Sequence, residues 1–587
     1  MAARDTAPHT DRDLASMSEA RELARAARRA QAALAELDQA RIDALVTAMA
    51  EAVTPHADAL ARLAVEETGY GVVADKAEKN LFASRQVYEF ILPMRTVGVI
   101  NRIEERRLVE IAEPFGPVAA IVPSTNPTST AIYKVLIAIK ARCAIVISPH
   151  PSAARCITRA VEIMAEAATA AGAPEGSIGW MRTVTLEGTQ ELMRQREIAV
   201  ILATGGLGLV RAAYSAGKPA YGVGPGNAPC YVEASADLAK AASDIVLGKT
   251  FDNGVLCSAP NSVVVDEAVA AGLRRAFEAE GAYFMNEAEA AALAARLVSP
   301  QRLPDPKLVG KPATWLAEQA GITVPGRTKA LVATLHGVGR DHPLSIEKLC
   351  PVLSWYVVAD WRAGCERCIE ILRYGGMGHT MSIHSRNEEV ILEFGLKKPA
   401  FRICVNTPTT HGSIGLTTGL DPAMTLGCGG WGGNITSDNI SPRHLLNIKR
   451  LAYETRPARR PEVSPDRPAS APAPVTVPAA AAPGLPEAPA RPREQGIPAR
   501  VLAARIDAFL ASRGFQPDEP PAAGPAAPGV EDARPADNVE EFVCEDDVRA
   551  ALRAGRKLLV GERTIVTPSA RELGESQKVF VQAGWPS

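Results

Sequence analysis

The feature that most constrains this chain is a series of short apolar runs, each breaking into a polar or glycine-rich turn and then an amphipathic stretch. "VAAIVPSTNP" (118–127) reads as a strand entering a loop. "AIVISPHPSA" (144–153) is a second strand and turn, leading into the helix around "ARCITRAVEIMAEAATAAG". "VILATGGLGLVRAAYSAG" (200–217) is strand, glycine turn and helix. Strands alternating with helices predict an α/β fold, with a parallel sheet and helical crossovers. Upstream, from about Met17 to Val87, an apolar stripe with charges opposite it predicts helices.

Composition changes abruptly at Arg456. "RPARRPEVSPDRPASAPAPVTVPAAAAPGLPEAPARP" carries proline every few residues and almost no large apolar side chain. Such a segment cannot bury enough surface to offset ordering, so 456–498 reads as a disordered linker and the C-terminal extension as largely disordered. Two islands interrupt it. Residues 499–515 put Leu502, Ile506, Phe509 and Leu510 on one helical face, with Gly514 placed to end the helix. After a second linker at 516–539, residues 540–587 suggest a small helix-plus-strand module. The 64 Lys and Arg nearly balance the 66 Asp and Glu, giving no overall reason to expect nucleic acid or an anionic membrane as partner. Ten cysteines in 587 residues make no disulfide framework, and no apolar run is long enough to span a bilayer. The polar start (1–16, expected to be flexible) has no apolar signal core, so the expectation is a soluble cytoplasmic protein with reduced thiols.

Cys257 in "KTFDNGVLCS" is open to three readings: a buried filler, a metal ligand or a nucleophile. The turn "ATGGLGLV", with Gly205, Gly206 and Gly208, could admit a pyrophosphate to a helix N-terminus. It could equally be a plain strand–helix turn, since it lacks the usual dinucleotide fingerprint. "GVGPGNAP" (222–229) is a second glycine cluster, at minimum a tight connection. The lone C-x-x-C of Cys365 and Cys368 has no second pair, and no metal site is expected.

Taken together, "EPFGPVAAIVPSTNPTSTAIYK", "LATGGLGLV", "GVGPGNAP", "KTFDNGVLCS", "EKLCPVLSWY", "GGMGHT" and "MTLGCGGWGGNITSDNISPRHLLNIK" resemble the CoA-acylating aldehyde dehydrogenases. The resemblance runs from about Met17 to Glu454. It is strongest to the aldehyde dehydrogenase half of the bifunctional aldehyde–alcohol dehydrogenases; acylating enzymes of bacterial microcompartments are similar. It implies a Rossmann-like NAD(P)-binding domain (17–248) and a catalytic α/β domain (249–433). It also implies a small β-flap for oligomerisation, from a strand near 97–111 and from 434–455, in a homodimer or homotetramer.

The resemblance also implies the chemistry. Cys257 is the nucleophile that turns an aldehyde into a tetrahedral adduct and then a thioester. Asn126 and the Cys257 backbone N–H form the oxyanion hole, unless Asn126 is only a turn residue before Pro127. Pro123, Thr204, Gly205, Gly206, Gly208 and Gly224 face the cofactor. Glu347 holds the nicotinamide ribose or, as a surface carboxylate, pairs with Lys348. Family members have an acidic residue after the second strand for the adenosine ribose; here Ser148 and His150 stand there, which leaves NAD against NADP open. Hydrolytic relatives carry Glu-Leu-Gly-Gly-Lys, whose Glu activates water. Aligned without gaps, that Glu falls on Gly222, so the acyl group should wait for coenzyme A. His379 is the candidate to deprotonate the CoA thiol, or else a structural histidine. Cys428, between glycines, reads as close backbone packing. The expected activity is oxidation of a short-chain aldehyde to acyl-CoA. A sulfoacetaldehyde-type acylating enzyme, a hydrolytic dehydrogenase and a catalytically dead scaffold are the alternatives. The segment 499–515 is a candidate encapsulation peptide, binding a microcompartment shell or cargo partner.

Overall fold

In the computed structural model, residues 11–458 and most of 540–582 are described. The linkers and the expected helix at 499–515 lie outside the described residues. The chain divides into two compact units, Met1–Pro461 and Glu462–Ser587. Among the described residues no helix is long and apolar enough to cross a membrane.

The first unit opens with helices α1 (Arg12–Ala35), α2 (Gln39–Val53), α3 (Ala57–Thr68), α4 (Val73–Leu81) and α5 (Val87–Ile91). The first helix starts inside the stretch expected to be flexible, because the Asp11 carboxylate accepts from the Asp13 N–H at its N-terminus. A five-stranded parallel sheet follows: β3 (Val118–Val122), β4 (Ile145–Pro149), β5 (Ile178–Trp180), β6 (Val200–Thr204) and β7 (Ala220–Val223), in the order β5-β4-β3-β6-β7. Val118 pairs with Ile145 on one side and Val200 on the other. Every residue of β3 and β4 is buried, as expected where crossover helices cover both faces. Those helices are α6 (Pro127–Lys140), α7 (Ala154–Ala170), α8 (Leu186–Arg194) and α9 (Leu207–Tyr214). One face packs α2, α6 and α7; the other carries α1, whose alanines Ala20, Ala24 and Ala27 let it lie close.

From just after β7 the chain builds a seven-stranded parallel sheet, with α10 (Leu238–Thr250) following its first strand. Its strands are β8 (Ala228–Val232), β9 (Pro260–Asp266), β10 (Ala282–Met285), β11 (Ala330–Thr334), β12 (Val352–Val358), β13 (Gly378–His384) and β14 (Ala400–Val405), in the order β10-β11-β12-β9-β8-β13-β14. The third sheet is antiparallel: β1 (Gly98–Ile103), β2 (Leu108–Pro114) and β15 (Leu446–Ala452), with β2 central. The second unit is a small parallel sheet of β16 (Glu540–Val543), β17 (Leu558–Val566) and β18 (Phe580–Gln582). Val543, Val548, Ala551, Leu558, Ala570 and Val579 form its core.

The two large sheets present opposite ends to one another. Residues 123–126, 148–150, 204–206 and 223–225 lie at the carboxyl ends of β3, β4, β6 and β7. The segments before β8, β9, β12 and β13 lie at amino ends. The chain crosses from one sheet to the other in the few residues between β7 and β8, the "GPGN" of the second glycine cluster.

Packing at the start of β13 is tight. Gly378 has φ +76°, and a Cβ there would sit 1.9 Å from the Cys428 carbonyl oxygen. Gly378→Ala should therefore lower the thermal midpoint by several degrees, since backbone strain of about 1–3 kcal/mol adds to the clash. Gly326→Ala, with open space around the added carbon, should leave the midpoint unchanged; equal midpoints for the two variants would contradict this packing.

Candidate active site

A cavity of about 420 Å³ lies where the two sets of strand ends meet. Pro123, Asn126, Ser148, His150, Thr204, Gly205, Gly206, Gly224, Cys257 and Glu347 all line it, bringing together residues that are far apart in the chain. Two expected residues are not on its wall. Gly208 lies in the first turn of α9 and is exposed. His379 is buried behind the wall: a Cβ on Gly226 would meet the Cys257 carbonyl oxygen at 2.1 Å and His379 Cγ at 3.3 Å, so the imidazole lies against the loop beside Cys257. Sequence reading did not single out Val184, Thr185, Leu186 and Leu209, which also line the wall; nothing in their local pattern marks them.

The wall fits a dinucleotide. Thr204 Oγ1 is buried without a partner. A Cβ on Gly206 or Gly224 would meet nothing within 4 Å, and the α9 N-terminus has no side-chain cap. A pyrophosphate there would find free N–H donors and an unused hydroxyl. At the β4 end, Ser148 is already engaged with Thr189, 2.8 Å between hydroxyls. His150 Nδ1 accepts from the Ser152 N–H at 3.2 Å, which leaves the ring proton on Nε2. Burial lowers the His150 pKa, so the ring is neutral at pH 7.

Cys257 is the one described cysteine that is not buried. Desolvation, then the nearby Glu347 and Cys428, push its thiol up to about 12; Arg402 opposes them. Arg402 is buried on β14, donating to the carbonyls of Ser437 and Gly427. Cys428 is buried and pushed up to about 11, which suits the packing role read from its flanking glycines. Cys365 and Cys368 are buried on the helix Trp361–Tyr374, where Cys365 meets the Lys398 ammonium. Glu347 accepts from the Gly226 N–H at 2.9 Å, and burial pushes its carboxyl up to about 8. Lys348 turns the other way, donating to the Leu344 and Ile346 carbonyls, so it is no partner for Glu347. Burial, and then the Arg402 charge, lower His379 to about 3. It is therefore neutral at physiological pH; Nδ1 meets Thr380 Oγ1 at 3.0 Å and Nε2 has no partner.

The turn before Cys257 is strained. Asp252 and Asn253 both hold left-handed backbone, φ 50° and 52°. The Asp252 carboxylate accepts from the Val72 N–H (2.7 Å), from Lys76 Nζ (2.9 Å) and from Lys79 Nζ. Lys79 also donates to Asn126 Oδ1 at 2.6 Å, and Lys76 to the Thr125 carbonyl at 3.0 Å. Burial lowers Lys79 to about 8, with Asp252 opposing that shift. Sequence reading passed over both lysines.

Gly222 lies on β7. A Cβ there would stand 2.8 Å from Val210 Cγ1 and 3.0 Å from Tyr214 Oη, so side chains of α9 fill the place where a larger residue would begin.

The aldehyde dehydrogenase family model matches residues 5–285. The bifunctional aldehyde-alcohol dehydrogenase AdhE of Escherichia coli (strain K12) is 40% identical over 72% of this chain and 48% of its own; the chain thus spans about half the length of the first curated relatives it matches. The succinate-semialdehyde dehydrogenase (acetylating) of Clostridium kluyveri is 37% identical, over 75% of this chain and 97% of its own. Among solved structures, an acetylating aldehyde dehydrogenase from Geobacillus thermoglucosidasius is 49% identical, covering 77% of this chain and 100% of its own at a TM-score of 0.76. With full-length relatives of this kind aligned along the unit that holds the Cys257 cavity, the chain belongs to the aldehyde dehydrogenase family, among its acylating members.

Proposed function

We propose that this chain oxidises a short-chain aldehyde to acyl-CoA, taking NAD(P)+ and coenzyme A as co-substrates. The observation that carries the CoA-dependent reading is the packing at Gly222. A hydrolytic enzyme needs a base beside the thioester. Gly222 has no side chain to serve as that base, and a Cβ there would already press on Val210 Cγ1 at 2.8 Å and Tyr214 Oη at 3.0 Å. The carboxyl on the cavity wall, Glu347, is largely protonated at neutral pH and already accepts from Gly226.

The residues divide the work as follows. Cys257 Sγ, as thiolate, adds to the aldehyde carbon, and the carbonyl oxygen takes the electron pair. Asn126 Nδ2–H and the Cys257 N–H receive that oxygen. A dinucleotide on the β3, β4 and β6 strand ends supplies the hydride acceptor that makes the adduct a thioester. His379, neutral and with Nε2 free, accepts a hydrogen bond from the CoA thiol and orients it; lowered to about 3, the imidazole does not keep the proton, which passes to solvent. The CoA sulfur then forms the new C–S bond as the bond to Cys257 breaks, and Cys257 leaves as thiolate. The neutral His150 and the lack of a carboxylate beside β4 favour acceptance of both NAD and NADP. The succinate-semialdehyde and sulfoacetaldehyde substrates named for relatives bracket the substrate class as a small aldehyde, with a sulfoacetaldehyde-type enzyme as the second reading. The exposed antiparallel sheet of β1, β2 and β15 is proposed as the oligomerisation surface. The sequence of 499–515 behind its Pro/Ala linker supports cargo targeting to a microcompartment.

NADH formation from acetaldehyde or propionaldehyde, with and without CoA, tests the reading. CoA should raise turnover strongly and little free acid should form without it; acid produced at the same rate without CoA would overturn it. The thiol's raised pKa gives a second test. Below that pKa the reactive thiolate fraction rises about tenfold per pH unit. Iodoacetamide labelling of Cys257 should therefore climb from pH 7 to 10 without levelling, and vanish at that peptide in Cys257→Ala. A plateau below pH 9 would show the thiol to be activated in the free enzyme.

A further inference from the structure

We infer that Lys79 is a positioning residue for the acylation step, holding the Asn126 amide with its N–H side turned away from the ammonium and available to the adduct oxygen. The inference rests on the proposed role of Asn126 as oxyanion donor and adds what fixes that donor.

Asn126 stands at the N-cap of α6, with φ −131° and ψ 58°, yet its side chain makes no cap hydrogen bond. Asparagine at that position ordinarily accepts from the N–H of the second or third helical residue. Here Oδ1 accepts from Lys79 Nζ at 2.6 Å instead. An ammonium has donors only, so it can face the amide oxygen and never the amide nitrogen. One flip of the amide is thereby selected, with Nδ2 on the other side. One Nδ2 hydrogen points to Thr125 Oγ1 at 3.3 Å, leaving the second for the cavity that Asn126 and Cys257 both line. Donation into Oδ1 also polarises the amide and strengthens Nδ2–H as a donor.

Lys79 is itself fixed. It is 2% exposed and ion-paired to Asp252. Asp252 is held by Lys76 and by the Val72 N–H, and its own N–H donates to Asp75 Oδ2 at 2.6 Å. Gly71 makes room for it: a Cβ there would lie 1.9 Å from Asp252 Oδ1. Because Asp252 is part of the strained turn that leads to Cys257, one carboxylate sets both the nucleophile's loop and, through Lys79, the orientation of the oxyanion donor. A purely structural lysine could satisfy Asp252 without reaching Asn126.

The test is a double-mutant cycle on the single-turnover NADH burst from aldehyde, using Lys79→Met, Asn126→Ala and the double variant, with cofactor affinity measured separately by fluorescence titration. Loss of an oxyanion donor in Asn126→Ala should slow the burst by about 100-fold or more. Lys79→Met should slow it by about 10- to 100-fold, with cofactor affinity unchanged. The double variant should match Asn126→Ala within about threefold. Lys79→Gln, neutral but still able to donate to Oδ1, should retain more activity than Lys79→Met, and it carries the same cycle should the Met variant fail to fold. Losses that multiply in the double variant, or a loss confined to cofactor affinity, would overturn the role of Lys79 while leaving Asn126 in place. An unimpaired burst in Asn126→Ala would overturn the role of Asn126 and the inference with it.

Discussion

The buried carboxylate of Asp252 is the interaction on which this site depends. It is buried with Lys76 and Lys79, and the half-buried Asp75 stands beside them. Burying such charges costs several kcal/mol per ion unless each is paired and hydrogen-bonded, and here the pairing is complete: two ammonium groups, a backbone N–H and a second carboxylate that accepts from the Asp252 amide. The cluster holds two consecutive non-glycine residues in left-handed backbone, a conformation that persists only where its surroundings over-determine it. It joins three separate parts of the chain: α4, the loop after β3 and the loop that carries Cys257.

The opposition of the two large sheets accounts for the rest of the site. Carboxyl ends of parallel strands are where open α/β sheets hold nucleotides, and the five-stranded sheet offers four such ends. The seven-stranded sheet answers with amino ends, which carry Gly226, Cys257, Glu347 and His379. Gly226 touches two of the others through its backbone: its N–H donates to the Glu347 carboxyl, and it lies too close to the Cys257 carbonyl for any side chain. The glycines of "GVGPGNAP" thus do two jobs, spanning the sheets and admitting the cysteine loop.

Much of this was legible in the sequence because its signals are local. Apolar runs such as "VAAIV" and "AIVIS" became strands buried throughout, and the turn residues after them became the cavity wall. What could not be read depends on long-range pairing. Lys76 and Lys79, three apart on a helix, look like a solvated face; only Asp252, more than 170 residues away, takes them inside. Asn126 read as an oxyanion donor, with a turn residue as the alternative, and the diversion of its oxygen from the helix cap to Lys79 is visible only in three dimensions. Gly222 was legible as a missing base, but the filling of that space by Val210 and Tyr214 comes from how α9 packs on β7. Gly208 belonged to the right motif and still lies off the wall, exposed in the first turn of α9 between the lining residues Gly206 and Leu209.

The central claim is that Cys257 holds an acyl group until a thiol takes it. Intact-mass measurement followed by peptide mapping, after incubation with acyl-CoA and no reduced cofactor, tests it most directly. The account predicts one acyl increment, located on Cys257, that persists in water and is discharged by added CoA. An unmodified Cys257, an increment on Cys428, or an adduct that water removes as fast as CoA does would contradict it.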